Sequence, residues 1–162
     1  MDHEPGLDER AALERCSVAA DAVVTGVAGH LPRYLISEAG RVLDAWDLAG
    51  PGRTRADAAV ARAADVATAR VVAALRALFA LDAAEQRATP LEVVRTAVRE
   101  PTEVLRDLGV PPVVRDEFDE RHLPDDDYDL TLRAVGDLGD PDLGPELLAW
   151  GLAKSRVLRA RV

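Results

Sequence analysis

Between Thr54 and Leu81 the apolar residues Val60, Ala64, Ala67, Val71, Leu75 and Leu78 return at steps of three or four. That spacing lines one face of an α-helix. Val72 and Phe79 widen the stripe. Arg62, Asp65, Arg70 and Arg76 interrupt it, so the segment is no membrane span. Thr54 is the expected N-cap, with Asp57 three residues on. The stripe begins with alanine and ends with Val, Leu and Phe. Its alanine half predicts close approach to a neighbouring helix, either within the chain or across a homodimer.

Two further patterns precede it. From Leu7 to Gly29, a stripe of Leu13, Cys16, Ala20, Val23 and Val27 points to an amphipathic helix that Gly29 and Pro32 should end. From Pro32 to Leu48, Leu35, Ala39, Val42 and Trp46 share a second face. The run Ala49-Gly50-Pro51-Gly52-Arg53 reads as a loop. There Arg53 and Arg55 could touch an anion, although arginines beside Pro-Gly are common on any surface. Cys16, on the apolar stripe, reads as a buried and inert thiol rather than a nucleophile.

Beyond residue 81 the helices shorten. Asp82 and Glu85 have capping-box spacing. Thr89-Pro90-Leu91-Glu92 is a stronger start, with proline at the first helical position. Glu100-Pro101 breaks or restarts that helix, Gly109 caps the next, and Pro111-Pro112 stops the chain again. A short helix is expected over 113–123 with Val114 and Phe118 on one face. A charged loop over 124–129 and a turn over 130–138 capped by Thr131 follow. Asp140-Pro141-Asp142 opens a final helix through Trp150 and Val157. No convincing alternating run predicts a sheet. The expected fold is all-α: a compact helical bundle of three longer N-terminal helices, with a C-terminal half of short Pro-punctuated helices around it. A length of 162 residues suits one domain, and any subdivision would fall near 82–90.

The charge balance narrows function. Twenty Lys and Arg against 29 Asp and Glu leave a net charge of −9, which opposes wholesale nucleic-acid binding. A DNA-binding regulator would need a basic recognition helix, and only the last helix approaches one. A single cysteine, and an N-terminus without a basic and apolar leader, predict a cytoplasmic protein.

The densest chemistry lies between Arg115 and Asp129, with eight acids in the fourteen positions from Asp116. Three readings compete. A metal site could use Asp119 and His122, three apart on a helix, but di-metal bundles need that pair twice. A calcium loop could use Asp125, Asp127 and Asp129, but Leu130 and Gly136 stand where Gly and Glu are required. The third reading is an acidic surface. It is covered either by the basic tail of Lys154, Arg156, Arg159 and Arg161, or by another protein. In the latter case Asp116, Glu117, Asp119, Glu120, Asp125, Asp126 and Asp127 form the contact set.

The stretches Thr89-Pro90-Leu91-Glu92-Val93-Val94-Arg95, Gly109-Val110-Pro111-Pro112-Val113-Val114-Arg115-Asp116-Glu117-Phe118 and Pro124-Asp125-Asp126-Asp127-Tyr128, continuing to Leu148-Ala149-Trp150-Gly151, resemble a group of short actinobacterial proteins of unknown function. The resemblance covers about the second half of the chain. It implies a bacterial cytosolic setting and supplies no activity, cofactor or site. The reading that follows is a non-catalytic module that binds another protein through an acidic surface and needs no cofactor. The alternative is a metal-binding protein or metal-dependent enzyme using Asp119 and His122.

Overall fold

The computed structural model of the chain describes residues 6–80 and 88–161. Helix α1 spans Leu7–Ala45 and α2 spans Gly50–Ala80. The shorter α3 (Pro90–Arg95) passes through a 3-10 turn at Thr96–Val98 into α4 (Arg99–Asp107). Then come α5 (Glu117–His122), a 3-10 turn at Val135–Leu138 and α6 (Leu143–Ala160). No strand occurs among the described residues, and the fold is the expected all-α bundle. Among the described residues no helix is long and apolar enough to cross a membrane. The expected capping box at Asp82 and Glu85, and the expected helix end at Leu81, lie outside the described residues.

The first two expected helices are joined end to end. α1 runs through Gly29 and Pro32 without stopping. A proline inside a helix costs about 3 kcal/mol, because it gives no N–H to the carbonyl four residues back. Continuity keeps Val27, Leu31, Leu35, Ala39 and Leu43 on one buried stripe. Each buried leucine is worth roughly 1.5–3 kcal/mol, so the two beyond the proline already offset its cost. The Arg33 guanidinium donates to the Gly29 carbonyl at 3.3 Å beside the proline.

α1 ends instead at a tight hairpin. Leu48 N–H donates to Leu43 O and Asp47 N–H to Asp44 O, with Asp47 left-handed at φ 58°. α2 then starts at Gly50, four residues before the expected cap. Thr54 lies within the helix, its hydroxyl donating back to Gly50 O. Arg53 joins the two helices. It donates to Asp57 at 2.8 Å, to Asp44 at 2.7 Å, and to the carbonyls of Leu48 and Gly40 at 3.3 Å. It is committed to the hairpin and is no anion site. The alanine face of α2, including Ala56, Ala64 and Ala67, is buried in the core shared with α1.

α6 lies antiparallel to α1. Gly26 faces Asp140 and Leu143, the Cys16 thiol faces the Trp150 carbonyl, and Glu9 pairs with Arg161. A Cβ on Gly26 would sit 2.7 Å from Asp140 Oδ2, so glycine permits the loop before α6 to seat on α1. Trp150 meets Phe79 of α2 edge to face at 5.0 Å and packs with Ala19 and Ala20. The basic tail therefore lies along α1. Its Arg161 binds Glu9 at 2.9 Å and does not cover the acidic segment.

Thr89 and Glu92 form the expected capping box of α3, with Pro90 at the first position. Gly109 ends α4 with φ 82°, Val110 N–H reaching Leu105 O and Gly109 N–H reaching Arg106 O. The 113–123 stretch departs from expectation. It is non-helical until Asp116, and Val114 and Phe118 point to solvent, not to a core. Leu130–Leu132 is not a helical turn either. It is a buried segment without regular structure, the expected turn forming only at Val135–Leu138, and the Thr131 hydroxyl caps nothing.

Candidate functional site

A non-helical segment buried among helices has a chemical problem. Its N–H and C=O groups have no sheet to pair with, and each left unpaired costs about 1–3 kcal/mol. Tyr128, Leu130, Thr131 and Leu132 are in this position. Side chains from across the fold supply the missing partners. Asp126, itself only 2% exposed, accepts Leu130 N–H at 2.7 Å and Thr131 N–H at 2.9 Å. Tyr34 of α1 donates to the Leu130 carbonyl. Arg95 of α3 donates to the carbonyls of Leu132 and Arg133, both at 3.1 Å. Asp137 accepts the N–H of Arg133 at 2.8 Å and of Ala134 at 3.1 Å. Tyr128 closes the other end, its buried hydroxyl donating to Val110 O at 2.8 Å.

The acidic segment winds over this clasp, and most of its carboxylates are part of it. Asp116 caps α5 by accepting Asp119 N–H at 2.7 Å. Asp119 takes both arms of the Arg133 guanidinium, at 2.8 and 3.0 Å, and Asp129 takes a third contact from Arg133 at 2.7 Å. Asp127 binds Arg106 of α4 at 2.6 Å. Arg115 donates to the Leu123 carbonyl, and Val113 N–H donates to Asp127 O at 3.0 Å. The sequence-expected cover of tail arginines is thus replaced by Arg106, Arg115 and Arg133.

Electrostatics follow these contacts. Hydrogen bonds from Arg133 hold Asp119 below the usual carboxylate range, and Arg106 does the same for Asp127. The N–H groups of Ala134 and Arg133 lower Asp137. Burial pushes the Tyr34 and Tyr128 phenols up, so both remain donors at neutral pH.

The residues expected to hold a metal are not brought together. The Asp119 carboxylate is filled by Arg133. The His122 ring stacks on Phe118 at 4.1 Å, with Nδ1 2.9 Å from the Phe118 carbonyl. Among the described residues no three His, Cys, Asp or Glu side chains gather to bind an ion. Cys16 is half-buried, and burial raises its thiol, which is the wrong direction for a nucleophile.

What remains outward is a smaller set. Glu120 and Asp125 are exposed and make no salt bridge among the described residues, and Glu117 makes only a long 3.4 Å contact to Arg121 of its own helix. In the same stretch of chain Val114, near Arg41 of α1 and Trp46 at its end, is fully exposed at 101% of its reference area, and Phe118 is 64% exposed. Reasoning from sequence missed Arg95, Arg106, Arg133, Asp137 and Tyr34 as partners. The one available signal was the alternation of Tyr128, Leu130 and Leu132 immediately after the acids. Comparison with protein-family models, with curated proteins and with solved structures finds no match.

Proposed function

We propose that the chain is a non-catalytic helical binding module that engages another protein through the outer edge of its acidic segment. The observation that carries this reading is that α5 holds Phe118, an exposed apolar ring, between the outward acids Glu117 and Glu120, with exposed Val114 and Asp125 shortly before and after it in the chain. A large aromatic ring kept in water has no stability rationale of its own. With outward carboxylates on its own helix, it suits a partner segment that combines an apolar residue with Lys or Arg. The stacked His122 restrains the Phe118 ring before binding. The clasp beneath fixes the backbone that carries both, which lowers the ordering cost of association. Of the acids expected to make contact, Asp116, Asp119, Asp126 and Asp127 serve that backbone, and Glu117, Glu120 and Asp125 face outward.

The test is a pull-down from native extract at low and high salt, read by mass spectrometry, with three baits in parallel. The wild-type chain is expected to retain a stoichiometric partner that salt releases. Phe118→Ser, and Glu117→Lys combined with Glu120→Lys and Asp125→Lys, should each lose it while their circular dichroism is unchanged. Retention of the same partner by both variants rules out this placement.

A further inference from the structure

On the side of the molecule formed by α1 and α6 a second apolar face lies open. Between the N-terminal half of α1 and α6 runs a groove of about 570 Å³, with Val18, Ala149 and Leu152 along it. Val18 is 64% exposed and Leu152 57%, and Leu148, one turn before Leu152 on α6, is 65% exposed. The groove and the leucine ridge are side by side on the same face. An isologous interface sets one patch of each copy against itself, so apolar side chains at the centre of this face meet their counterparts.

The charges at the rim give the orientation. Arg15 and Arg156 lie toward one end, with Arg159, Glu14 and Asp8 near them, and Glu146 lies toward the other. None of Arg15, Glu146 and Arg156 forms a salt bridge among the described residues. Glu146 and Arg156 are ten residues apart on α6, about 15 Å along the helix axis. A two-fold axis midway between them, near Gly151, places Glu146 of each copy against Arg156 and Arg15 of the other.

We infer that a second copy of this chain seats on the α1–α6 face. The two chains are related by a two-fold axis that crosses α6 at the level of Gly151, with Leu148 and Leu152 of each copy packed against those of the other. The resulting core is four helices, two from each chain. This assembly is independent of the acidic edge, which lies on another part of the surface.

Sedimentation velocity over a concentration series tests it with the full chain. The wild type is expected to reach twice the chain mass of 17.4 kDa. Leu152→Glu places a carboxylate in the centre of the face, and its self-association should weaken at least ~100-fold with unchanged helicity. Glu146→Arg and Arg156→Glu should each weaken it about tenfold, by setting like charges against each other across the axis. The double variant restores opposite charges only if a second copy is the occupant, and should recover most of the loss. A wild type that stays monomeric to the limit of solubility overturns the inference. So does a dimer indifferent to Leu152→Glu, or a double variant weaker than both singles.

Discussion

Asp126 and Tyr34 lie 92 positions apart in the sequence, yet they serve the same residue, Leu130, one taking its N–H and the other giving to its carbonyl. Neither role is visible from composition. An aspartate in a run of aspartates looks like surface charge, and a tyrosine on a helix looks like core edge. What separates them from their neighbours is burial, set by which part of the chain lies beneath the bundle. Tyr34→Phe keeps the ring and removes the donor, leaving the Leu130 carbonyl short of its donor. A loss of about 1–3 kcal/mol in urea unfolding is expected, with no change in helix content. An unchanged midpoint would mean that water reaches that carbonyl.

At the scale of elements, periodicity located the helices well, and local breakers located their ends unevenly. Thr89, Pro90 and Gly109 act as their chemistry predicts because no continuous buried stripe carries the helix past them, and Thr89 and Gly109 are exposed. Gly29 and Pro32 do not end α1, because the apolar stripe on both sides of them is buried against the same core. Local propensity there is worth a few kcal/mol and tertiary burial more. Two substitutions follow from this balance. Pro32→Ala restores a helical N–H and should raise stability by about 1–3 kcal/mol in urea titration. Gly29→Ala, with nothing within 4 Å of its added Cβ, should gain roughly 0.5–1 kcal/mol. Gly26→Ala should forfeit that gain, because the Asp140 carboxylate stands 2.7 Å from the new atom and must move, with the Leu143 side chain at 3.4 Å behind it. Equal effects at the two glycines would contradict the close seating of α6.

For the whole molecule, the all-α architecture was legible, since a chain with helical periodicity and no alternating strands has few other solutions. The candidate site was legible as a place and not as an arrangement. The acids between residues 116 and 129 were found, but their arginine partners lie on α4 and just before the second 3-10 turn, in long-range pairings that no spacing rule encodes. Acid titration reads those pairings together. Asp119, Asp127 and Asp137 have folded values depressed below the ordinary aspartate value of about 3.9. Their contribution is therefore complete above that pH and is lost as pH falls through the lower folded values. Urea midpoints should be level from neutrality to about pH 5 and fall below about pH 4. Midpoints that rise on acidification would mean that relief of repulsion among the acids, at a net charge of −9, outweighs the clasp.

The division of one acidic stretch into inner carboxylates that hold the fold and outer ones that face a partner has a direct test. Urea unfolding would be compared for two double variants that each remove two negative charges from the same fourteen residues. Asp119→Asn with Asp126→Asn strips the clasp, and Glu120→Gln with Asp125→Asn strips the rim. The first should lower the midpoint strongly, because buried N–H groups lose a charged acceptor. The second should leave it unchanged or slightly raised. Equal losses in both, or a loss confined to the rim pair, would contradict the division.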